Sequence, residues 1–240
     1  MRYIEKRYSE SMAVHKVELI LCKLDKANLH KAENRYAKLT GGNLYDMVRD
    51  MTTFSNLKQQ LYEEQGGICC YCGSKLEYPL NPQYRVEHVK PKEKYRELVG
   101  EYENLLLSCR STRNEIEIRK EMTKKESIKL LHCDEAKASK EITYSPLNPD
   151  CEKVFVYKID GNIKGMDAAA KKDIETLGLA CDYLVRRRRE ALQSLFDEDN
   201  ELLSDDLLKE YKERVLCRDE NNKLAEFCFV ISNVVDYYIK

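Results

Sequence analysis

Residues 66–73 read GGICCYCG and residues 84–91 read YRVEHVKP, and the fold turns on these two stretches. In the first, Cys69 and Cys72 form a C-x-x-C knuckle. Two thiolates at that spacing on a tight turn can both reach one tetrahedral Zn²⁺ at about 2.3 Å. Cys70, between them, is expected to point away. Buried free thiols beside a turn are the plain alternative, and the flanking Gly and Tyr favour the knuckle. A second pair would complete the ligand set. Cys109 and Cys133 are the candidates, as two halves of a knuckle split by a polar helix expected over 113–131, with Cys151 in reserve.

In the second stretch a carboxylate directly precedes a histidine inside a β-like run. Successive strand residues point to opposite faces, so Glu87 and His88 can serve one site only if the strand bends or ends there. Glu87 is a hard oxygen ligand of the kind Mg²⁺ or Mn²⁺ takes. A neutral His88 can act as a general base near pH 7. A histidine half-buried in a strand and bonded to backbone is the structural alternative. Asn104 opens a second β-like piece, NLLLSC at 104–109, and turn formation alone would explain it.

Outward from these stretches the chain is mostly helical. Val17, Ile20, Leu21, Leu24 and Leu29 fit a helix over 13–40 that Gly41-Gly42 ends. Phe54, Leu57, Leu61 and Tyr62 fit a second over 53–65, stopped by Gly66-Gly67. Residues 151–165 read as a hairpin turning at Asp160-Gly161-Asn162. Helical periodicity returns from 166, through Ile174, Leu177, Cys181, Leu184 and Val185. It is clearest in Leu224, Phe227, Cys228, Ile231, Val234, Val235 and Tyr238. Residues 1–12 show no period and read as an arm.

All five prolines and six of the ten cysteines fall within 66–152. The expected division is therefore an arm and helix at 1–52, a motif-bearing core at 53–165 and a helical region at 166–240. The expected fold is α+β, mostly helical, around a small core.

Composition narrows the function classes. The 240 residues are 35% charged, with 41 Lys and Arg against 42 Asp and Glu. That excludes a uniformly basic nucleic-acid coat but not a local basic face. Mean hydropathy is −0.63, and no apolar run approaches the roughly 18 residues of a membrane span. The first residues, MRYIEKRYSES, lack the apolar stretch of a signal peptide, so a cytoplasmic location is expected. In that reducing setting clustered cysteines bind metal more often than they cross-link. Cys22, Cys181, Cys217 and Cys228 are expected to be small buried apolar residues, and His15 and His30 to lie on the surface.

The order C-x-x-C, E-H-x-x-P, N-L-L-x-x-C and C-D-x-x-K resembles an HNH endonuclease, the ββα-metal nuclease fold. The run LYEEQGGICCYC, with HCDEAK and SPLNPDCEKVFVYKIDGNIKG, narrows the likeness to PtuB-type HNH proteins of Septu and retron-associated anti-phage systems. It covers about residues 53 to 195. The resemblance implies a central ββα-metal core stapled by a structural zinc on Cys69, Cys72, Cys109 and Cys133. It implies that His88 deprotonates a water, that Glu87 holds a catalytic Mg²⁺ or Mn²⁺, and that Asn104 orients the loop carrying the base. It also implies an ABC-type, PtuA-like ATPase as partner. The chain departs from the pattern twice. Thr112 breaks the second C-x-x-C, and Asp134 follows the final Cys where His or Asn is usual. Asp134 is a candidate metal ligand, with Asn114 and His132 competing for the position.

Arg113, Lys120 and Arg188 are candidate nucleic-acid contacts. Arg188 shares a helix face with Leu184 and Leu192, which suits a buried ion pair as well as a phosphate contact. The near-neutral total charge gives little nonspecific affinity for nucleic acid, so a partner would supply binding and control. The arm and the acidic 197–220 stretch are the expected docking surfaces. The function expected is metal-dependent phosphodiester hydrolysis on DNA, with structured RNA such as tRNA open. The rival class is a zinc-stapled adaptor that binds nucleic acid or protein without cutting.

Overall fold

The computed structural model describes residues 1–28, 40–76, 84–111 and 113–239, leaving aside the side chains of 21–28, 113–115, 125 and 128. The chain is α+β. The helices are α1 (Glu10–Asn28), α2 (Gly41–Arg49), α3 (Phe54–Glu64), α4 (Arg113–Lys120), α5 (Lys124–Lys129), α6 (Cys133–Lys137), α7 (Cys151–Val154), α8 (Ala168–Thr176), α9 (Asp182–Leu192), α10 (Asp205–Leu216) and α11 (Cys228–Tyr238). Two antiparallel pairs of strands accompany them: β1 (Tyr84–His88) with β2 (Leu105–Cys109), and β3 (Phe155–Tyr157) with β4 (Ile163–Gly165). No helix among the described residues is long and apolar enough to cross a membrane.

The β1–β2 register sets the geometry of everything that follows. Tyr84 lies opposite Cys109, Glu87 opposite Leu106 and His88 opposite Leu105. All five β2 residues are buried. One end of the pair therefore meets the cysteines, and the other carries the histidine.

The helix over 53–65 appears as α3, burying Leu57, Leu61 and Tyr62. Gly66 and Gly67 follow it at φ +64° and +71°, the left-handed backbone that glycine adopts without a Cβ penalty. Gly41-Gly42, expected to end a helix, instead begins one. Thr40 caps α2 through a capping box with Asn43, and Glu93 accepts from the amides of Gly41 and Gly42. A Cβ on Gly41 would sit 2.3 Å from the Lys92 carbonyl oxygen, so the close approach requires glycine. The part of the expected first helix beyond 28, with His30, lies outside the described residues, as do the side chains of Cys22, Leu21 and Leu24.

In α1 the buried face is Met12, His15 and Leu19, while Val17 and Ile20 are exposed. His15 is a core residue rather than a surface one. Its ring nitrogens contact Thr53 Oγ1 at 2.9 Å and the Gly100 carbonyl at 3.0 Å. Such satisfied polar burial is invisible to a count of apolar residues. The polar helix over 113–131 breaks into α4 and α5, because Thr123 and Glu126 form a capping box that starts a new helix. The 151–165 hairpin pairs only over 155–157 and 163–165, and Cys151–Val154 winds into a helical turn.

Residues 1–12 are not a free arm. Met1, Ile4 and Met12 are buried in the main hydrophobic cluster, and the Ile4 amide donates to the Pro146 carbonyl at 2.8 Å. That cluster draws on all three expected segments, from Met1 through Leu57 and Leu105 to Leu184 and Val235. A smaller cluster of Leu19, Leu44, Val48, Met51 and Val99 joins α1 to α2. Cys181 and Cys228 are buried as expected, whereas Cys217 is exposed at the end of α10.

Candidate metal centre and adjoining cleft

Cys69 and Cys72 come from the turn after α3, Cys109 from the end of β2 and Cys133 from the start of α6. Their sulfurs all lie within 4.8 Å of one another, and all four residues are buried. Four thiolates held at about 2.3 Å by one tetrahedral zinc would stand about 3.8 Å apart. Cys69 and Cys133 are separated by 3.8 Å, and Cys72 and Cys109 by 3.6 Å. These spacings are too long for disulfides and suit a structural metal such as zinc. The remote Cys133 thus does what position 112 cannot. Cys70 is buried but outside the cluster, and so is Cys151.

Backbone amides support the sulfurs. Cys109 N–H donates to Cys69 Sγ at 3.3 Å, and Ser74 N–H to Cys72 Sγ at 3.4 Å. Cys133 sits at φ +55°, a costly backbone for a residue with a Cβ, and its amide is held by the Leu177 carbonyl at 2.7 Å. That conformation turns the chain so that α6 runs back along β1–β2.

Glu87, Asp134 and His88 then meet at one place. Glu87 is 2% exposed. Its Oε1 accepts from Tyr71 Oη at 2.7 Å and pairs with Lys137 Nζ at 2.7 Å. Burial first, and then a hydrogen bond with Asp134, push the Glu87 carboxyl up to about 8, while Lys137 pulls the other way. Asp134 also accepts from Arg85 at 3.3 Å.

His88 Nε2 is buried with no hydrogen-bond partner among the described residues. The ring packs nearly perpendicular to Tyr45, with centroids 4.9 Å apart. Burial, with Lys92 and Lys137 nearby, depresses its pKa to about 3, and Asp134 opposes this. The imidazole is therefore neutral at pH 7, as a base must be.

Asn104 clamps the chain just past the histidine. Its Oδ1 accepts from the Lys90 amide at 2.7 Å, and its Nδ2 donates to the Lys90 carbonyl at 3.1 Å and the Leu98 carbonyl at 3.4 Å. Its place is structural, at the loop that carries His88.

These groups open on a cleft of about 720 Å³. Glu87, His88 and Asp134 line it with Arg49, Lys58, Arg85, Lys92 and Arg110, and Tyr45 and Phe54 add aromatic surface. Of the two competitors that flank Cys133, Asp134 lines the cleft and His132 does not. His132 stacks on Tyr183 and approaches Cys109 Sγ at 3.7 Å, on the cysteine side. The Asn114 and Arg113 side chains lie outside the described residues.

Two expected nucleic-acid contacts are elsewhere. Lys120 pairs with Glu117 in solvent at 2.7 Å, away from the cleft lining. Arg188 is 1% exposed and donates to the carbonyls of Gly161 and Leu179 at 2.7 and 2.8 Å. Among the described residues it has no ion-pair partner, and its burial closes it to a phosphate. It ties the β3–β4 turn to the segment before α9.

The cations that do line the cleft were not singled out by sequence. Arg85 carried a signal, since it lies two residues before Glu87 on the same strand face. Arg49 and Lys58 come from helices whose docking no local pattern encodes. The chain matches no protein-family model and no curated protein.

Proposed function

We propose that the chain is a metal-dependent HNH-type endonuclease, the effector of an anti-phage system acting in the cytoplasm with an ABC-type ATPase. One observation carries this reading. A buried Glu87, a half-buried Asp134 and a neutral His88 whose Nε2 has no hydrogen-bond partner among the described residues converge on a cation-lined cleft, beside a four-cysteine cluster fit for zinc. The β1–β2 pair followed by α6 supports a ββα-metal arrangement, with α4 and α5 interposed.

The donor set fits a divalent cation. Two carboxyls sharing one hydrogen bond, with Glu87 raised to about 8, form a site that a cation would relieve of its proton. Mg²⁺ or Mn²⁺ held by Glu87 and Asp134 would supply charge stabilisation at the phosphate and the leaving oxygen. The rest of the work falls to the chain. His88 takes the proton of the attacking water, and Asp134 offsets the charge the imidazole gains. Asn104 holds the loop so that the ring stays in place. Arg49, Lys58, Arg85, Lys92 and Arg110 contact the phosphates and set the register of the strand. Zinc on the four thiolates has no part in the chemistry and supplies stability.

The test is cleavage of duplex DNA, single-stranded DNA and total tRNA, with the ATPase present, in Mg²⁺ and in EDTA. Wild type should cut in Mg²⁺ alone, and His88→Ala should not. Absence of cutting on every substrate by zinc-loaded protein would overturn the reading. A second reading, a zinc-stapled adaptor that does not cut, is favoured by one observation: Lys137 and Tyr71 already satisfy Glu87 Oε1. Retention of biological activity by His88→Ala would support it.

A further inference from the structure

Lys137 is among the least exposed side chains in the protein at 1%, and Tyr71 is at 0%. Both direct their polar atom at the same oxygen of the same carboxylate, Glu87 Oε1, each at 2.7 Å. Neither can swing away. Lys137 Nζ is also fixed by the His88 carbonyl at 2.9 Å. Tyr71 lies inside the knuckle, between Cys69 and Cys72, and Lys137 ends the short helix that Cys133 begins. The four-cysteine cluster therefore sets where both donors stand. A general lysine–carboxylate pair at a surface would leave the carboxylate free to rotate, but this one is packed.

We propose that Lys137 and Tyr71 are positioning residues that set metal selectivity. By occupying Oε1 from inside the protein, they leave Glu87 only Oε2 to offer a divalent cation in the cleft. This rests on the nuclease reading of Glu87 and Asp134. A one-oxygen carboxylate suits the octahedral shell of Mg²⁺ or Mn²⁺, whereas Ca²⁺ prefers 6–8 oxygens and commonly takes a carboxylate by both. The pair thus selects against Ca²⁺ by withholding a ligand atom.

The test is metal binding by zinc-loaded protein, without any cleavage readout. Free Mn²⁺ is followed by electron paramagnetic resonance, and Ca²⁺ is added as competitor. Wild type should bind Mn²⁺ at a site that Asp134→Asn abolishes, with Ca²⁺ competing weakly. In Lys137→Met the ratio of Ca²⁺ to Mn²⁺ affinity should rise about tenfold, the low end of what changes in groups supporting a ligand do. The positive charge lost with Lys137 acts on both ions alike and cancels in the ratio. Tyr71→Phe should shift the ratio in the same direction by less, and it decides the matter if Lys137→Met loses zinc or fails to fold. An unchanged ratio in folded variants would overturn the proposal and leave the nuclease reading intact. If wild type binds no Mn²⁺, or binding survives Asp134→Asn, the nuclease reading falls and takes this proposal with it.

Discussion

The two ends of one strand pair make contrasting sites. At the Tyr84–Cys109 end, four thiols close on one another within 4.8 Å and are all buried. At the His88–Leu105 end, two carboxyls and an imidazole face a cleft of about 720 Å³. Closed tetrahedral sets are what structural metals use, and open sites are what catalytic ones need. Helix α6 joins the two, since Cys133 belongs to the first site and Asp134 and Lys137 to the second. The geometry teaches that a closed thiol cluster and an open polar cleft are placed next to each other but built from different residues, so each can be broken separately.

The largest effect should come from the closed site. Cys133→Ala removes one of four ligands and the reason for a left-handed residue at the start of α6. Zinc contributes about 10 kcal/mol or more to folding in small thiolate sites, comparable to the whole stability of a domain. The variant should bind no zinc and lose cooperative thermal unfolding, checked by elemental analysis and circular dichroism. A zinc-free variant melting cooperatively near the wild-type temperature would show that the cluster is not a structural metal site.

The open site should respond in the opposite way. His88→Ala should lower the cleavage rate about 10²–10⁴-fold, the usual worth of a general base. Zinc content should stay the same and the melting temperature should move by only a few degrees, because among the described residues the ring's Nε2 has no hydrogen-bond partner to lose. Collapse of both activity and zinc content would erase the distinction between the two ends.

A third change probes what holds the open end from behind. Lys6 Nζ donates to the Leu105 carbonyl at 2.6 Å, on the residue opposite His88, and pairs with Glu64 at 3.4 Å. Burial lowers its pKa to about 8 despite that partner. Between about pH 8 and 10.5 the unfolded chain then binds the proton that the folded chain has released. Stability from this group therefore rises with pH across that window, by about 3 kcal/mol at most. Lys6→Met should lack the rise. The wild-type-minus-variant difference in urea unfolding free energy, measured from pH 7.5 to 10.5, checks it. A flat difference would mean that Lys6 titrates as if in solvent.

The closed site was legible in sequence and the open one only in part. C-x-x-C spacing is local, and the split partner Cys133 followed from counting thiolates. Glu87-His88 and Asn104 were legible as a run and a turn. The partners that make them a site were not, because Tyr45, Arg49 and Lys58 reach it through helix docking, and Lys137 looks like any other lysine in a polar stretch. The helical blocks fared similarly. Apolar periodicity located α3 and α11, but it chose the exposed side of α1, where a satisfied histidine does the packing. Gly41-Gly42 was read as a stop because glycine is a common helix end, whereas Thr40 and Glu93 make it a start.

The smallest effect concerns how nucleic acid approaches the open end, where two tracks compete. One runs through Arg49 and Lys58 on the cleft wall, and the other along α4 through Lys120. Among the described residues Arg49 is held only by Asp46, with both side chains more than half exposed, and such a pair costs little to exchange for a phosphate. Lys120 is paired with Glu117 in an equally exposed contact, but it stands outside the cleft. Each lost phosphate contact flattens the plot of log affinity against log salt by about 0.9 for duplex and 0.7 for single strands. Arg49→Ala and Lys58→Ala should each flatten the slope by about that much and raise KM with kcat unchanged, while Lys120→Ala leaves the slope as it is. The reverse pattern would move the path of the strand from the cleft wall to α4, and with it the direction from which a phosphodiester meets His88.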